Sequence, residues 1–560
     1  MNSTVPYVHR DFSTHTLENV SVPYENINLF TQDKVLQESV RAFGADHVCD
    51  QLTEFGGIVG QADYLALGDQ ANRFRPEFAP HDRYGRRIDL VSFHPAYHHL
   101  MQTAMTYGLH SLPWETKTKG AHVHRAALCH LHTQVEAGHG CPVTMTFAGV
   151  AALRHTPSLA STWIPKVLSR SYDPRNVHWS DKSGLTLGMA MTEKQGGSDV
   201  RSNSTRAFPT ASPGSGQPYE LVGHKFFVSA PMCDAFLMLA QAPGGLSCFL
   251  VPRWWDVDHK NPMELVRLKD KMGNVSNASS EVELRGALGW MVGEEGRGVA
   301  TILEMVALTR FDCMVGSTAG MHMAVQQAIH HAAHRRAFGA LLIDQPMMQN
   351  VLIDLALERE AALWLSMRMA NALDQSGSES ERLLARIAVA IGKYWICKRT
   401  PQHAYEAMEC IGGSGVMENS MMPRLYREAP INAIWEGSGN VQCLDVLRAL
   451  HKSPQTLDVL HQEIAKAKGS HPELDALLKT GFSQFKNLAV EDAAFEGRRW
   501  VDRMAVALQC SLMFQYAPEQ AAQTFCDSRL NMDVAHQYGS LKRETPIAFL
   551  LKRYRVDGIS

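Results

Sequence analysis

Neither Gly-x-Gly-x-x-Gly nor Gly-x-x-x-x-Gly-Lys-Ser/Thr occurs in the chain. That excludes the usual glycine-rich cradles for dinucleotides and nucleoside triphosphates. Cys-x-x-Cys pairs are also missing, and the 11 cysteines stand apart and odd in number. Such usage predicts free or buried thiols in a reducing compartment, not a disulfide framework. No run of about 18 apolar residues is present, so no membrane span is expected. The start, Met1-Asn2-Ser3-Thr4-Val5-Pro6-Tyr7, lacks the basic and apolar regions of a signal peptide, and a cytoplasmic location is expected. The net charge is −3, so no global basic field points to nucleic acid, and any such site is a local patch. His122, His124, Cys129, His130 and His132 cluster without a common ligand spacing, and His330 and His334 lack the intervening Glu of a zincin. No metal site is expected.

What is present fits an ordinary globular chain of 560 residues, 45% hydrophobic and 20% charged, with room for about three or four domains. Residues 1–30, rich in Ser, Thr, Asn and Pro, read as an irregular arm. Apolar spacing is mostly helical to residue 180, as at Val35, Leu36, Val40 and Phe43, with a loop at 72–90. Short β-rich runs follow at 185–191, 219–229, 235–241, 246–251, 263–268 and 280–284, separated by Gly/Pro turns, and predict a barrel or sandwich. Helices return after Gly298, over 299–333, 345–374 and 379–411, the last interrupted at Pro401, with a fourth from Asn440. The fold class is α+β, mainly α. Its units are an N-terminal arm and helical domain (1–180), a β domain (181–295), a helical bundle (296–451) and an extra helical C-terminal domain (452–560) that the bundle does not need.

Two motifs carry the chemistry. Met191-Thr192-Glu193-Lys194-Gln195-Gly196-Gly197-Ser198-Asp199 is a turn offering hydroxyls and free N–H groups to a polar ring. Nearby, Phe227, Val228 and Ser229 supply an aromatic wall and a further hydroxyl. Far downstream, Trp435-Glu436-Gly437-Ser438-Gly439-Asn440 sets one carboxylate beside a flexible bend. Read alone, the first fits a solvated hairpin as well as a ring site, and the weaker reading of the second is a helix entry ahead of Ser438 and Asn440, which could cap the next helix.

Together they resemble signatures of the acyl-CoA dehydrogenase flavoproteins, Thr-Glu-x-x-x-Gly-Ser-Asp at the flavin and aromatic-Glu-Gly-Ser/Thr at the base. The resemblance covers about residues 120–450. It implies FAD, with Met191, Thr192, Gly197, Ser198, Phe227, Val228 and Ser229 at the ring; the family commonly has Trp where Phe227 stands. His334-Arg335-Arg336-Ala337-Phe338-Gly339 resembles the family's Glu-Arg-x-x-Phe-Gly. Arg335 and Phe338 would then reach the FAD of a neighbouring subunit, followed by Gln345 and the Gly412-Gly413 bend at the pyrophosphate. Ile434, Trp435, Gly437, Ser438 and Asn440 complete the cofactor set. Glu436 is the expected base, taking the α-proton while a hydride leaves Cβ. Some branches place that base on the first bundle helix, where this chain has Thr309, which cannot serve.

Within that family the closest resemblance is to the AidB branch, over residues 188–200, 267–279, 309–313 and 423–441 and in the extra C-terminal domain. It implies an FAD-bound homotetramer that binds double-stranded DNA in the response to alkylation, with weak acyl-CoA dehydrogenase activity. Arg448 and Arg529 match arginines implicated in DNA contact. The basic residues Lys542, Arg543, Lys552, Arg553 and Arg555 fit a solvated tail as well as they fit phosphate contacts. The alternative is a catabolic dehydrogenase that desaturates a short or branched acyl-CoA and passes electrons to a flavoprotein acceptor.

Overall fold

The computed structural model describes residues 12–116, 118–486, 490–530 and 536–555. The first part of the expected arm, residues 1–11, lies outside them. The first helix, α1 (Lys34–Ala42), starts where the Asp33 carboxylate accepts from Leu36 N at 3.0 Å, and buries Val35, Leu36, Ser39 and Val40 on one face. Two further helices, α2 (Ala121–Thr133) and α3 (Gly140–Leu153), lead to the β region.

The expected loop at 72–90 is instead an antiparallel hairpin, β1 (Glu77–His81) and β2 (Arg87–Ser92). Its turn was hidden in Asp82-Arg83-Tyr84-Gly85. The Asp82 carboxylate accepts from Tyr84 N and Arg86 N, and Gly85 takes φ of 80°.

Seven strands build the middle of the molecule: β3 (Leu187–Ala190), β4 (Arg206–Pro209), β5 (Pro218–Ser229), β6 (Ala235–Ala242), β7 (Gly245–Pro252), β8 (Met263–Leu268) and β9 (Ser279–Val292). Six of them pair in the order β3-β6-β4-β5-β9-β7, β8 pairs with β9, and β7 pairs back to β6, so the sheet closes on itself. The short strand β4 carries no alternation long enough to be seen in sequence. A register shift between Lys225 and Val228 bulges β5 against β9. Phe227 is consequently turned outward, 44% exposed, while Val228 is fully buried in the barrel core.

The long helices are α4 (Gly298–His334), α5 (Pro346–Asp374) and α6 (Glu379–Ile411). Buried residues lie on every side of α4, the mark of a helix inside a bundle. α6 runs unbroken through Pro401, where an interruption was expected. One backbone hydrogen bond is lost there, but Ile396, Cys397, Thr400, His403 and Ala404 are buried around it, so packing keeps the helix continuous.

After α7 (Gly439–Lys452) the chain adds α8 (Gly497–Tyr516), α9 (Glu519–Leu530) and α10 (Ile547–Tyr554). These are not dispensable to the bundle. Trp500, Val501, Met504, Leu508 and Leu512 of α8 share one buried core with Leu357, Trp364 and Leu365 of α5 and with Leu36 and Val40 of α1. Of the C-terminal basic residues, Lys542, Arg543, Lys552 and Arg555 are exposed, and one is held inside. Arg553 is buried and paired with Glu38 and Glu360 at 2.6 and 2.5 Å.

Candidate active site

One cavity of about 920 Å³ opens between the barrel, α3, α4 and the start of α7. Met191, Thr192, Gly197, Ser198, Phe227 and Ser229 line it from the barrel, and Ile434, Trp435, Glu436, Gly437, Ser438 and Arg448 from the helical half. The two distant motifs therefore share one space.

The barrel side is held by a buried ion pair. Glu193 Oε1 accepts from Lys225 Nζ at 2.9 Å and from Thr205 Oγ1 at 2.6 Å, and the second oxygen accepts from Ser204 N at 2.7 Å. Burial alone would raise this carboxyl, but Lys225 and these donors hold it well below the usual carboxylate range. Glu193, prominent in the motif, is thus the anchor of the turn. Phe226 N donates to Thr192 O at 2.8 Å and ties the turn to β5. A Cβ on Gly197 would come within 2.6 Å of Thr192 Oγ1, so only glycine fits beside that hydroxyl.

On the helical side Glu436 takes a left-handed φ of 57°, unusual for a residue with a Cβ. The strain is held from three sides. Arg310 Nε and Gln442 Nε2 donate to Glu436 O at 2.9 and 3.1 Å, and Lys393 Nζ donates to Trp435 O at 2.7 Å. Arg310 is itself fixed by Asp445 at 2.8 Å. Thr309 Oγ1 donates to Glu436 Oε2 at 2.7 Å. Burial raises the Glu436 carboxyl above its ordinary value, while the Thr309 hydrogen bond and the charges of Arg310 and Lys393 pull it back. A carboxyl raised in this way is a stronger base than a free one, which suits proton abstraction.

Lys393, Gln442 and Arg310 carry no sequence pattern that marks them, since their role is to grip backbone carbonyls across the fold. A second carboxylate, Glu428, also lines the cavity. It accepts from Asn274 N at 2.6 Å, and burial pushes it up to about 7.

The chain matches the family described as adaptive response protein AidB, N-terminal domain, over residues 19–174. It matches the acyl-CoA dehydrogenase middle domain over 188–287 and the C-terminal domain over 296–451. It is 45% identical to AidB of Escherichia coli (strain K12), over 93% of this chain and 95% of that protein. The chain belongs to the acyl-CoA dehydrogenase family, in its AidB branch. Acyl-CoA dehydrogenase family member 11 of Caenorhabditis elegans is 27% identical over 96% of this chain and 91% of its own. A solved structure of that worm protein, in complex with C11-CoA, superposes with a TM-score of 0.84, at 25% identity, covering 94% of this chain and 95% of that one. As a member of this family the chain is an oxidoreductase of the FAD-dependent acyl-CoA dehydrogenase type.

Other residues named for the acyl-CoA dehydrogenase site stand away from the cavity lining. Arg335 and Phe338 sit on a short hairpin after α4, where the Arg335 guanidinium bonds Asn19 O and Phe338 is 99% exposed. Gln345 Nε2 donates to Ala337 O at 2.9 Å and braces the same hairpin. Gly412 ends α6 with φ of 71°, Gly413 follows in a short turn, and Asn440 accepts from Arg498 at 2.8 Å.

The two arginines named for DNA part company. Arg448 is exposed at the cavity mouth, with no carboxylate partner among the described residues. Arg529 is buried, its guanidinium 2.6 Å from Asp354 and 2.9 Å from Glu358. Two internal carboxylates take up its charge, and its side chain is only 11% exposed.

The histidines read as non-ligands also have a tertiary setting. Of these His130, joined by His322, which the sequence clusters do not include, lies within 4.8 Å of the Asp33 carboxylate, atom to atom. Arg359 already pairs with the same Asp33 oxygen, so a cation there would face a guanidinium.

Proposed function

We propose that Glu436 is the base of an acyl-CoA dehydrogenase reaction, and that the protein also binds double-stranded DNA as part of a defence against alkylation. The observation that carries the chemistry is Glu436 itself, clamped at φ of 57° on the wall of a cavity shared with the barrel hydroxyls. The residues suit a flavin. Thr192 and Ser198 line the cavity and their hydroxyls meet no hydrogen-bond partner among the described residues, and Phe227 provides an apolar wall. When bound, FAD supplies the hydride acceptor.

The chain's own residues do the rest. Glu436 takes the α-proton, Thr309 orients its carboxylate, and Arg310, Gln442 and Lys393 fix the turn. Trp435, with its indole N–H held by Asn432 at 2.8 Å, screens the carboxylate from water. The worm relative solved with C11-CoA supports an acyl-CoA as the small molecule taken here. Phe338 and Arg335, exposed on a hairpin away from the cavity, fit a second copy of the chain that completes the cofactor site within a homotetramer.

For DNA, the support is the AidB relationship together with Arg448 and Lys452, both exposed at the cavity mouth. In this reading the dehydrogenase activity is weak. The complete setting of Glu436 favours a second reading, a catabolic dehydrogenase. One purified sample tests both, by duplex affinity and by acyl-CoA-driven bleaching of the flavin. Glu436→Gln is expected to keep FAD and lose about 10²–10⁴-fold in bleaching rate. A variant as fast as the parent would make the carboxylate structural. Failure of the parent to bind duplex, with rapid bleaching, would establish the catabolic reading.

A further inference from the structure

Three lysines around the barrel and the cavity are accounted for. Lys225 pairs with Glu193, Lys269 with Glu281 at 2.9 Å, and Lys393 holds the catalytic turn. Lys271 is different. It lines the cavity, and no carboxylate forms an ion pair with it among the described residues. Its ammonium donates to Asn277 O at 2.7 Å and to Ser279 Oγ at 2.8 Å. Ser279 is the register partner of Ser229, and their hydroxyl oxygens lie 3.4 Å apart. A chain of polar groups therefore runs from Lys271 through Ser279 to Ser229, the hydroxyl assigned to the flavin ring.

A part-buried ammonium with no carboxylate in ion-pair contact is costly unless something electron-rich meets it in the working state. Burial lowers Lys271 to about 8. The other ionisable groups facing it are Cys141, Glu428 and Glu136. Burial pushes the Cys141 thiol up to about 12 and Glu428 up to about 7. Glu136 is enclosed by His139, Ser276 and Asn72.

We propose that Lys271 is a positioning residue for the flavin, its ammonium favouring the reduced ring through Ser279 and Ser229 and so setting the cofactor's redox potential. The proposal rests on the flavin reading above. Accepting a hydride adds two electrons and one proton to the ring, hence one negative charge. The substrate loses that hydride from Cβ and its α-proton to Glu436, so charge and atoms balance. A cation close to the ring is worth most after the transfer, because only then is there a charge to meet.

The test is the two-electron midpoint potential of the FAD-loaded protein, read by equilibration with a reference dye. Lys271→Met is expected to lower the reduced-to-oxidised ratio at a fixed dye potential about tenfold, equivalent to about 30 mV. Lys271→Arg should stay within threefold of the parent. The parent supplies a reading that needs no variant to fold. Below pH 8 the ratio should fall tenfold per pH unit, for one proton taken up. Between about pH 8 and 9 it should fall more steeply, by about a further tenfold in total, because Lys271 there takes up a second proton on reduction, and the tenfold coupling to the ring limits the extra fall to that amount. Lys271→Arg should abolish that steepening.

An unchanged potential in Lys271→Met with full FAD content overturns the proposal. So does a parent slope that stays tenfold per unit from pH 7 to 10. A parent that binds no FAD would instead overturn the flavin reading itself.

Discussion

At the residue scale the site depends on a hydroxyl that has no acid–base chemistry of its own. Thr309 donates to the carboxylate of Glu436, the base of the proposed reaction. A hydrogen bond to the ionised form favours that form. Thr309→Val removes the donor and keeps the shape, so the balance on Glu436 tips further toward burial. The Glu436 carboxyl, already raised, should rise again, and the acid limb of flavin bleaching should move to higher pH. Base catalysis needs the carboxylate, so the rate at a fixed mildly acidic pH should drop and recover as pH rises. A pH–rate profile superimposable on the parent's would show that Thr309 is only packing.

At the element scale, the placement of two arginines on two helices separates charge that reaches solvent from charge that holds the core. Arg448 lies on α7 at the mouth of the cavity, whereas Arg529 on α9 is braced against Asp354 and Glu358 of α5. Arg448→Gln should leave stability unchanged and, if duplex binds there, flatten the log K against log salt slope by about 0.9. Arg529→Gln should instead leave two buried carboxylates short of a cation, costing about 3–5 kcal/mol in denaturant unfolding. Arg399, also on Glu358 at 3.1 Å, would hold the loss toward the lower figure. An Arg529→Gln protein as stable as the parent, with a flattened salt slope, would reverse these assignments.

The same scale explains what local pattern could and could not show. The strands β5, β6 and β7 were legible as alternating or apolar runs between turns, and the long helices as apolar periodicity. The hairpin at 77–92 escaped because its strands are short and half-exposed. The continuity of α6 escaped because Pro401 breaks helices in isolation, and only burial against α4 and α5 overrides it.

For the whole molecule, the C-terminal helices decide whether the bundle is a finished object. Residues from Tyr24 to Tyr554 form one buried cluster. A chain ending at Lys452 would expose the face of α5 that α8 covers, including Trp364, which stacks on Tyr516 at 5.3 Å. Each large apolar side chain returned to water costs about 1.5–3 kcal/mol, and several exceed a typical total stability of about 5–15 kcal/mol. The shortened chain should therefore be insoluble or lack a cooperative thermal transition. A soluble, FAD-loaded form with parent-like unfolding would show that the C-terminal helices are an independent addition.

The sequence by itself determined the family, the α+β class and the two motifs, because these rest on residue type and short spacing. It did not determine which charges are free. Arg448 and Arg529 look alike in a string of letters, and only packing shows that one meets solvent and the other two carboxylates. It marked Glu436 as a carboxylate but not its left-handed backbone or its grip by Thr309, Arg310, Gln442 and Lys393. Those contacts join residues about 40 to 130 positions apart, save for Gln442 close by. Distances of that kind are set by how helices and barrel pack, since no local propensity reaches across them.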